Sequence, residues 1–246
     1  MLFFRVGDFY EMFYEDAVEA SGLLAIALTS RDKHAEQPVP LCGVPYHAAT
    51  GYIAKLLKAG RTVALCDQVE NPRTAKGLVR REVVRLYTPG TLVDSEFLAP
   101  SQANFLAAVA TAPGASGRDT CAIGLAAVDV STGSFLAQEF TGQGAETACL
   151  NELTRIEPKE LLISARISPS LKQCLAGLQA LRMNEYPASW FRLQEAHRFL
   201  LDHFKTQSLD GFGCRGFTLG IEAAAAVLRY LRESQPSSNL SHITRL

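Results

Sequence analysis

Charge of one sign, long apolar runs and paired cysteines are all missing from this 246-residue sequence, and each absence excludes a class of protein. Its 24 Lys+Arg are balanced by 25 Asp+Glu, a formal net charge of −1, so no whole-chain positive field draws it onto a polyanion. Any nucleic-acid contact has to be local. No uncharged apolar run reaches membrane-spanning length, and the opening Met1-Leu2-Phe3-Phe4 is interrupted at once by Arg5, Asp8 and Glu11, unlike a secretory signal. No membrane association is expected. Six cysteines (Cys42, Cys66, Cys121, Cys149, Cys174, Cys214) form no C-x-x-C pair, which fits reduced thiols better than a disulfide framework or a zinc site. The expected compartment is therefore the cytoplasm. There is no G-x-x-x-x-G-K followed by Ser or Thr, so the phosphate-cradling loop is missing, and no cofactor is expected in these residues. His47 has no evident Ser or Cys nucleophile with an orienting acid and reads as structural; no catalytic residue is expected.

Apolar material is plentiful: 48% hydrophobic against 20% charged, enough for two ordinary domains with their own cores. The first half reads as mixed α/β. Leu2–Phe13, rich in Phe, Tyr and Val, suits a strand, Glu15–Leu23 a helix and Leu24–Thr29 a second strand. After Pro38-Val39-Pro40-Leu41-Cys42-Gly43-Val44-Pro45, a helix over Ala48–Ala59 puts Ile53, Leu56 and Leu57 on one face and stops at Gly60. Val63–Val69 and Glu82–Tyr87 add two strands. Thr88-Pro89-Gly90 and the unpatterned Leu92–Gln102 mark a boundary. The expected division is a domain over 1–93, a linker over 94–103 and a second domain over 104–246.

The second half opens with strands at Asn104–Ala110, Ala122–Val130 and Ser134–Phe140, the last two joined by the turn Ser131-Thr132-Gly133. Helix Ala145–Ile156, strand Leu161–Ser164, helix Ser168–Leu178, a strand at Leu181–Asn184 and two further helices then favour parallel additions to one sheet. Three hairpin strands followed by αβαβα is the ribonuclease H-like order. Ser234–Asn239 breaks the last helix and Leu240–Leu246 shows no closure, so the chain is expected to run into the start of a missing domain.

The most informative stretch is Gly7-Asp8-Phe9-Tyr10-Glu11-Met12-Phe13-Tyr14, where aromatics stand beside acids. Two readings are open. The rings can pack alternately on two faces of an ordinary strand. In an extended chain, however, Phe9 and Glu11 share one face while Tyr10 and Met12 take the other. A ring and a carboxyl pointing together can enter a DNA groove, the ring wedging between base steps while the carboxyl bonds a base edge.

Phe3-Phe4-Arg5-Val6-Gly7-Asp8-Phe9-Tyr10-Glu11-Met12-Phe13-Tyr14-Glu15-Asp16-Ala17 closely resembles the mismatch-recognition segment of bacterial MutS proteins. Pro40-Leu41-Cys42-Gly43-Val44-Pro45-Tyr46-His47-Ala48 is similar to that family's second signature, and Val83-Val84-Arg85-Leu86-Tyr87-Thr88-Pro89-Gly90-Thr91 to its third. A weaker resemblance runs through Asn104–Ala108 and Asp129–Phe135 into the family's connector domain. The fold this implies is a mixed α/β mismatch-recognition domain followed by a ribonuclease H-like connector domain.

By position, the resemblance implies that Phe9 stacks on the mispaired base and Glu11 hydrogen-bonds it, with Val6, Gly7, Asp8 and Leu41 alongside. Val6 and Leu41 stand where relatives often have Met. Arg31 and Arg81 match basic positions that contact the DNA backbone, with Lys33, Lys76 and Arg80 close by in sequence. Such contacts position a protein without reading sequence. The partners implied are mismatched double-stranded DNA, a MutL-type protein reached through the connector, and a second copy in a full-length homodimer, the isolated fragment being a monomer. ATP and magnesium belong to the full-length family's ATPase, not to these residues.

An enzyme reading competes: Asp129, before Ser131-Thr132-Gly133, resembles the first acid of a ribonuclease H-type nuclease, but two-metal chemistry needs further carboxylates, and none falls on a matching strand. A family relative serving recombination is a third reading, and Phe9 and Glu11 argue against it, since such relatives typically lack the Phe-x-Glu wedge.

Overall fold

The structure is a computed structural model and describes residues 1–31, 37–70, 77, 79–91, 103–112, 122–178, 181–236 and 240–246. Lys33, Lys76, Cys121 and nearly all of the expected linker lie outside the described residues. Contacts divide the chain into two compact units, Met1–Pro89 with Ser234–Ser238, and Gly90–Glu233 with Asn239–Leu246.

The first unit contains β1 (Leu2–Val6), β2 (Phe9–Phe13), α1 (Tyr14–Leu24), β3 (Thr29–Arg31), β4 (Val39–Pro45), α2 (Ala49–Lys58), β5 (Val63–Gln68) and β6 (Arg81–Tyr87). They form one six-stranded sheet in the order β3-β4-β2-β1-β5-β6. Only β1 and β5 pair in parallel. Glu15 and Asp16 occupy the first turn of α1, where the helix dipole favours acids, and the helix stops at a left-handed Ala25. On α2, Ile53, Leu56 and Leu57 are buried, as their spacing predicts.

Two sequence expectations are corrected here. Leu2–Phe13 is not one strand but a hairpin, because Gly7 adopts φ +56 and reverses the chain between Val6 and Phe9. Leu24–Thr29 is not a strand either: α1 runs through Leu24, and the short β3 begins only at Thr29.

Sheet alternation separates two faces. Phe3, Tyr10, Met12, Cys42 and Val44 are all buried; on this side α1 packs against β2 and β4, and α2 against β4 and β5. The Cys42 thiol even donates to the Ala17 carbonyl oxygen at 3.4 Å. Among the described residues no helix packs on the opposite face, whose residues are half-buried or exposed apart from the buried Cys66, which pairs with Phe4.

The second unit contains β7 (Phe105–Thr111), β8 (Ala122–Asp129), β9 (Ser134–Thr141), α3 (Ala145–Ile156), β10 (Glu160–Ser164), α4 (Pro169–Ala176), β11 (Arg182–Tyr186), α5 (Leu193–Phe204) and α6 (Leu219–Ser234). The sheet order is β11-β10-β7-β8-β9, with β7, β8 and β9 antiparallel and β10 and β11 parallel to β7. This is the ribonuclease H-like order. Both faces are covered: Leu106, Ala108, Ala126, Val128 and Leu162 pack with α5 and α6, while Ala107, Val109, Leu125, Leu161 and Ile163 pack with α3 and α4. Two covered faces explain why these strands read as nearly unbroken apolar runs.

Close approach fixes α6. A Cβ on Gly124 of β8 would stand 2.0 Å from the Leu219 carbonyl carbon, so only glycine lets the helix start lie on the strand. The Glu139 carboxylate of β9 accepts the backbone N–H groups of Thr218 (2.8 Å) and Gly220 (3.0 Å), satisfying donors that a helix start leaves unpaired. Among the described residues no helix is long and apolar enough to cross a membrane.

Candidate nucleic-acid interface

Cross-strand pairing places most of the expected site residues on the face of the first unit that, among the described residues, no helix covers. Val6 pairs with Phe9, Phe9 with Pro45, Glu11 with Gly43, Phe13 with Leu41 and Leu41 with Thr29, and directly paired residues point the same way. Arg31 pairs with Val39, two residues from Thr29, and so shares this face. Phe9 is 48% exposed beside a fully buried Met12. For so large an apolar side chain at the start of an inner strand, this is a costly place to stand in water.

The site residues are not all together. Val6, Gly7, Asp8 and Phe9 form the hairpin end, with Glu11 one step in along the same face. Leu41 lies opposite Phe13, four residues from Phe9, or roughly 13 Å along the strand. Arg31 on β3 and Arg81 on β6 occupy opposite edges of the sheet, roughly 24 Å apart at five ordinary strand spacings. The exposed Arg31 has no described ion pair. The Arg81 guanidinium instead donates to the Arg5 carbonyl oxygen at 2.7 Å and the Val79 carbonyl oxygen at 2.9 Å, 5.2 Å from the Phe4 ring centroid. Part of its donor set is thus committed within the sheet.

Two residues of the hairpin end carry geometry that their sequence positions did not announce. Arg5 Nε donates to the Gly7 carbonyl oxygen at 2.5 Å, and its guanidinium stacks 3.7 Å from the centroid of the Tyr46 ring. The Tyr46 backbone N–H donates to the Asp8 carbonyl oxygen at 3.0 Å. Beneath them the Tyr10 hydroxyl donates to Asp67 at 2.9 Å, and burial, reinforced by that carboxylate, pushes the phenol up to about 12. The signal available in sequence was only that Arg5 and Tyr46 lie within the first two signature segments.

Asp129, the acid of the nuclease reading, sits at the end of β8. Its carboxylate accepts the Ser131 N–H at 2.9 Å, the Ser131 hydroxyl at 2.6 Å and the Asn104 N–H at 3.3 Å, which makes it the organiser of a turn. Among the described residues no group of three or more His, Cys, Asp and Glu gathers as a metal site. His47 meets the Tyr46 ring edge-on.

The two units correspond to two consecutive domains of one class of multidomain protein: residues 1–96 match the family model described as MutS domain I, and residues 104–244 match MutS domain II. The chain belongs to the MutS family. The DNA mismatch repair protein MutS of Syntrophobacter fumaroxidans is 48% identical over 246 residues, covering 100% of this chain and 27% of that protein. That of Myxococcus xanthus is 47% identical over 249 residues, covering 100% and 26%, and that of Desulfatibacillum aliphaticivorans 42% over 248, covering 100% and 27%. The chain thus spans about a quarter of the length of these relatives. Among solved structures, a Fowlpox virus resolvase with Holliday junction DNA superposes on 52% of this chain and 98% of its own at 11% identity, with a TM-score of 0.34; so loose a likeness carries no argument.

Proposed function

We propose that this chain is the part of a mismatch-repair protein that tests duplex DNA for mispaired or unpaired bases, with Phe9 as the wedge and Glu11 as the hydrogen-bonding partner of the displaced base. The observation that carries this is the pairing of an exposed Phe9 with Glu11 on the open face of a sheet whose other face is packed against helices. A sensor of many mispairs cannot depend on one donor and acceptor pattern in the major groove. It reads deformability instead: unstacking a step costs on the order of a few kcal/mol in paired DNA and less where pairing is already faulty, so bending energy discriminates. Val6 and Leu41 supply apolar contact, Gly7 and Asp8 the turn that presents the wedge, and Arg31 and the remaining donors of Arg81 the phosphate contacts.

In the same reading the second unit relays to a MutL-type protein, and two copies of the whole protein grip DNA together in the cytoplasm. Nucleotide hydrolysis, with its ATP and magnesium, falls to the remaining three quarters of such proteins. The nuclease alternative gains no observation, since Asp129 is engaged in its turn.

The test is binding of the intact protein to duplexes that differ only by one G·T mispair, with Phe9→Ala and Asp129→Asn variants. Phe9→Ala is expected to abolish the preference for the mispaired duplex, and Asp129→Asn to preserve it. Retention of the preference by Phe9→Ala, or magnesium-dependent cleavage lost in Asp129→Asn, overturns the proposal.

A further inference from the structure

We propose that Arg5 and Tyr46 act as a clamp that holds the Gly7-Asp8 turn in one conformation and so presets the direction of Phe9; this rests on the wedge reading above. A two-residue hairpin turn with positive φ only at its first position follows the II′ pattern. Its weak point is the peptide group between the two central residues, which can rotate while the flanking strands stay paired. Here that peptide's oxygen, Gly7 O, receives the Arg5 Nε–H, and the next oxygen, Asp8 O, receives the Tyr46 N–H. The carbonyls of both turn residues are therefore held.

The two holds are mechanically linked, because the Arg5 guanidinium carbon lies over the Tyr46 ring, 3.7 Å from its centroid. A planar guanidinium can stack and donate at once, which an ammonium cannot. The clamp closes on the side of the sheet away from Phe9: Arg5 pairs with the inward-facing Tyr10, so its guanidinium reaches the turn from behind. Phe9 itself stands next to the turn and opposite Pro45, the residue before Tyr46. A peptide rotation at Gly7-Asp8 would swing the first residue of β2, and a wedge displaced by an ångström loses the geometry its insertion requires. Arg5 and Tyr46 are positioning residues in this scheme, acting through the turn rather than on the base.

The experiment measures affinity of the intact protein for a G·T-containing duplex and its fully paired counterpart, with melting temperatures for every variant. Arg5→Ala is expected to lower the mismatch-to-paired ratio by about tenfold, the scale of one charge-assisted hydrogen bond and one cation–π contact. Tyr46→Leu, which keeps the backbone N–H but removes the ring, should lower it in the same direction, and Tyr46→Phe should restore it. Arg5→Lys should not rescue. Because both side chains serve one clamp, the double variant should lose little more than Arg5→Ala alone. An undiminished ratio in a folded Arg5→Ala protein, or fully additive losses, overturns the clamp while Phe9→Ala still abolishes the preference. Should Phe9→Ala keep the preference, the wedge reading itself fails, and the two failures are told apart.

Discussion

Glu11 stands directly opposite Gly43 in the β2–β4 ladder, on the open face of the first sheet. A Cβ at Gly43 would lie 3.6 Å from Glu11 Cγ and 3.3 Å from the Tyr10 carbonyl oxygen. Glycine there leaves the Glu11 carboxyl without a side chain opposite it on the β4 side, its other cross-strand neighbour being Phe4 of β1. Gly43→Ala is expected to be tolerated, while the two extra methyls of Gly43→Val crowd Glu11 and should weaken mismatch binding by about tenfold, equivalent to 1.4 kcal/mol. Equal mismatch affinity in the Val variant, measured by anisotropy, would show that Glu11 does not need the space.

Glu11→Gln keeps a side chain able to hydrogen-bond a base and removes the negative charge that the proposed binding mode turns toward the DNA. Its affinity for fully paired DNA should rise, narrowing the mismatch ratio, while mismatch binding stays largely intact. If Gln weakens mismatch binding as much as Ala, the charge is not what rejects intact duplex.

Phe9 and Phe3 offer a contrast in one hairpin, since Phe9 is 48% exposed and Phe3 fully buried. Thermal melting should show Phe9→Ala within about 1 kcal/mol of the parent, as for surface changes, and Phe3→Ala losing about 3–5 kcal/mol. A large loss from Phe9→Ala would mean that its ring belongs to the core.

Gly124→Ala puts a methyl 2.0 Å from backbone of Leu219, a collision that no side-chain rotation relieves. The start of α6 has to lift from β8, with an expected loss of about 1–3 kcal/mol or more. An unchanged melting temperature would contradict the close helix-to-strand approach.

Glu222 of α6 is pushed up to about 7, chiefly by burial, against the opposing Arg166 charge and the Leu193 N–H. Its folded form holds a proton more tightly than the unfolded chain, whose carboxyl titrates near 4.5. Stability from this group is therefore complete below pH 4.5 and declines as pH rises toward 7. Glu222→Gln should stabilise the protein by about 1–2 kcal/mol at pH 8, after allowing for screening of a half-buried group, and hardly at pH 4.5. Equal effects at both pH values would rule out the titration.

The alternation that placed Phe9 and Glu11 together was legible because Phe-Tyr-Glu-Met-Phe carries its own period, and the sheet honours it. The order of elements in the second unit was legible for a similar reason: its strands are short and apolar, its helices longer and charged on one side. The hairpin was missed because Gly7-Asp8 is flanked by strand-forming residues on both sides, so one extended run and two strands look alike in composition. Leu24–Thr29 misled because α1 ends in apolar residues and a left-handed Ala25, where glycine is the usual signal. Tertiary ties left no local trace at all. Nothing near Arg81 announces that its guanidinium turns to Arg5 O, and nothing near Glu139 announces that it serves a helix some eighty residues later.

Trp190, the sole tryptophan of the chain, lies in the second unit with its ring 4.3 Å from that of Tyr186. Emission excited at the red edge of the spectrum therefore watches one half of the molecule and is blind to the half that carries Phe9. A denaturation curve followed by fluorescence and one followed by far-ultraviolet circular dichroism will coincide only if the two units melt as one. A tryptophan introduced at Tyr52 on α2 gives the silent half its own reporter.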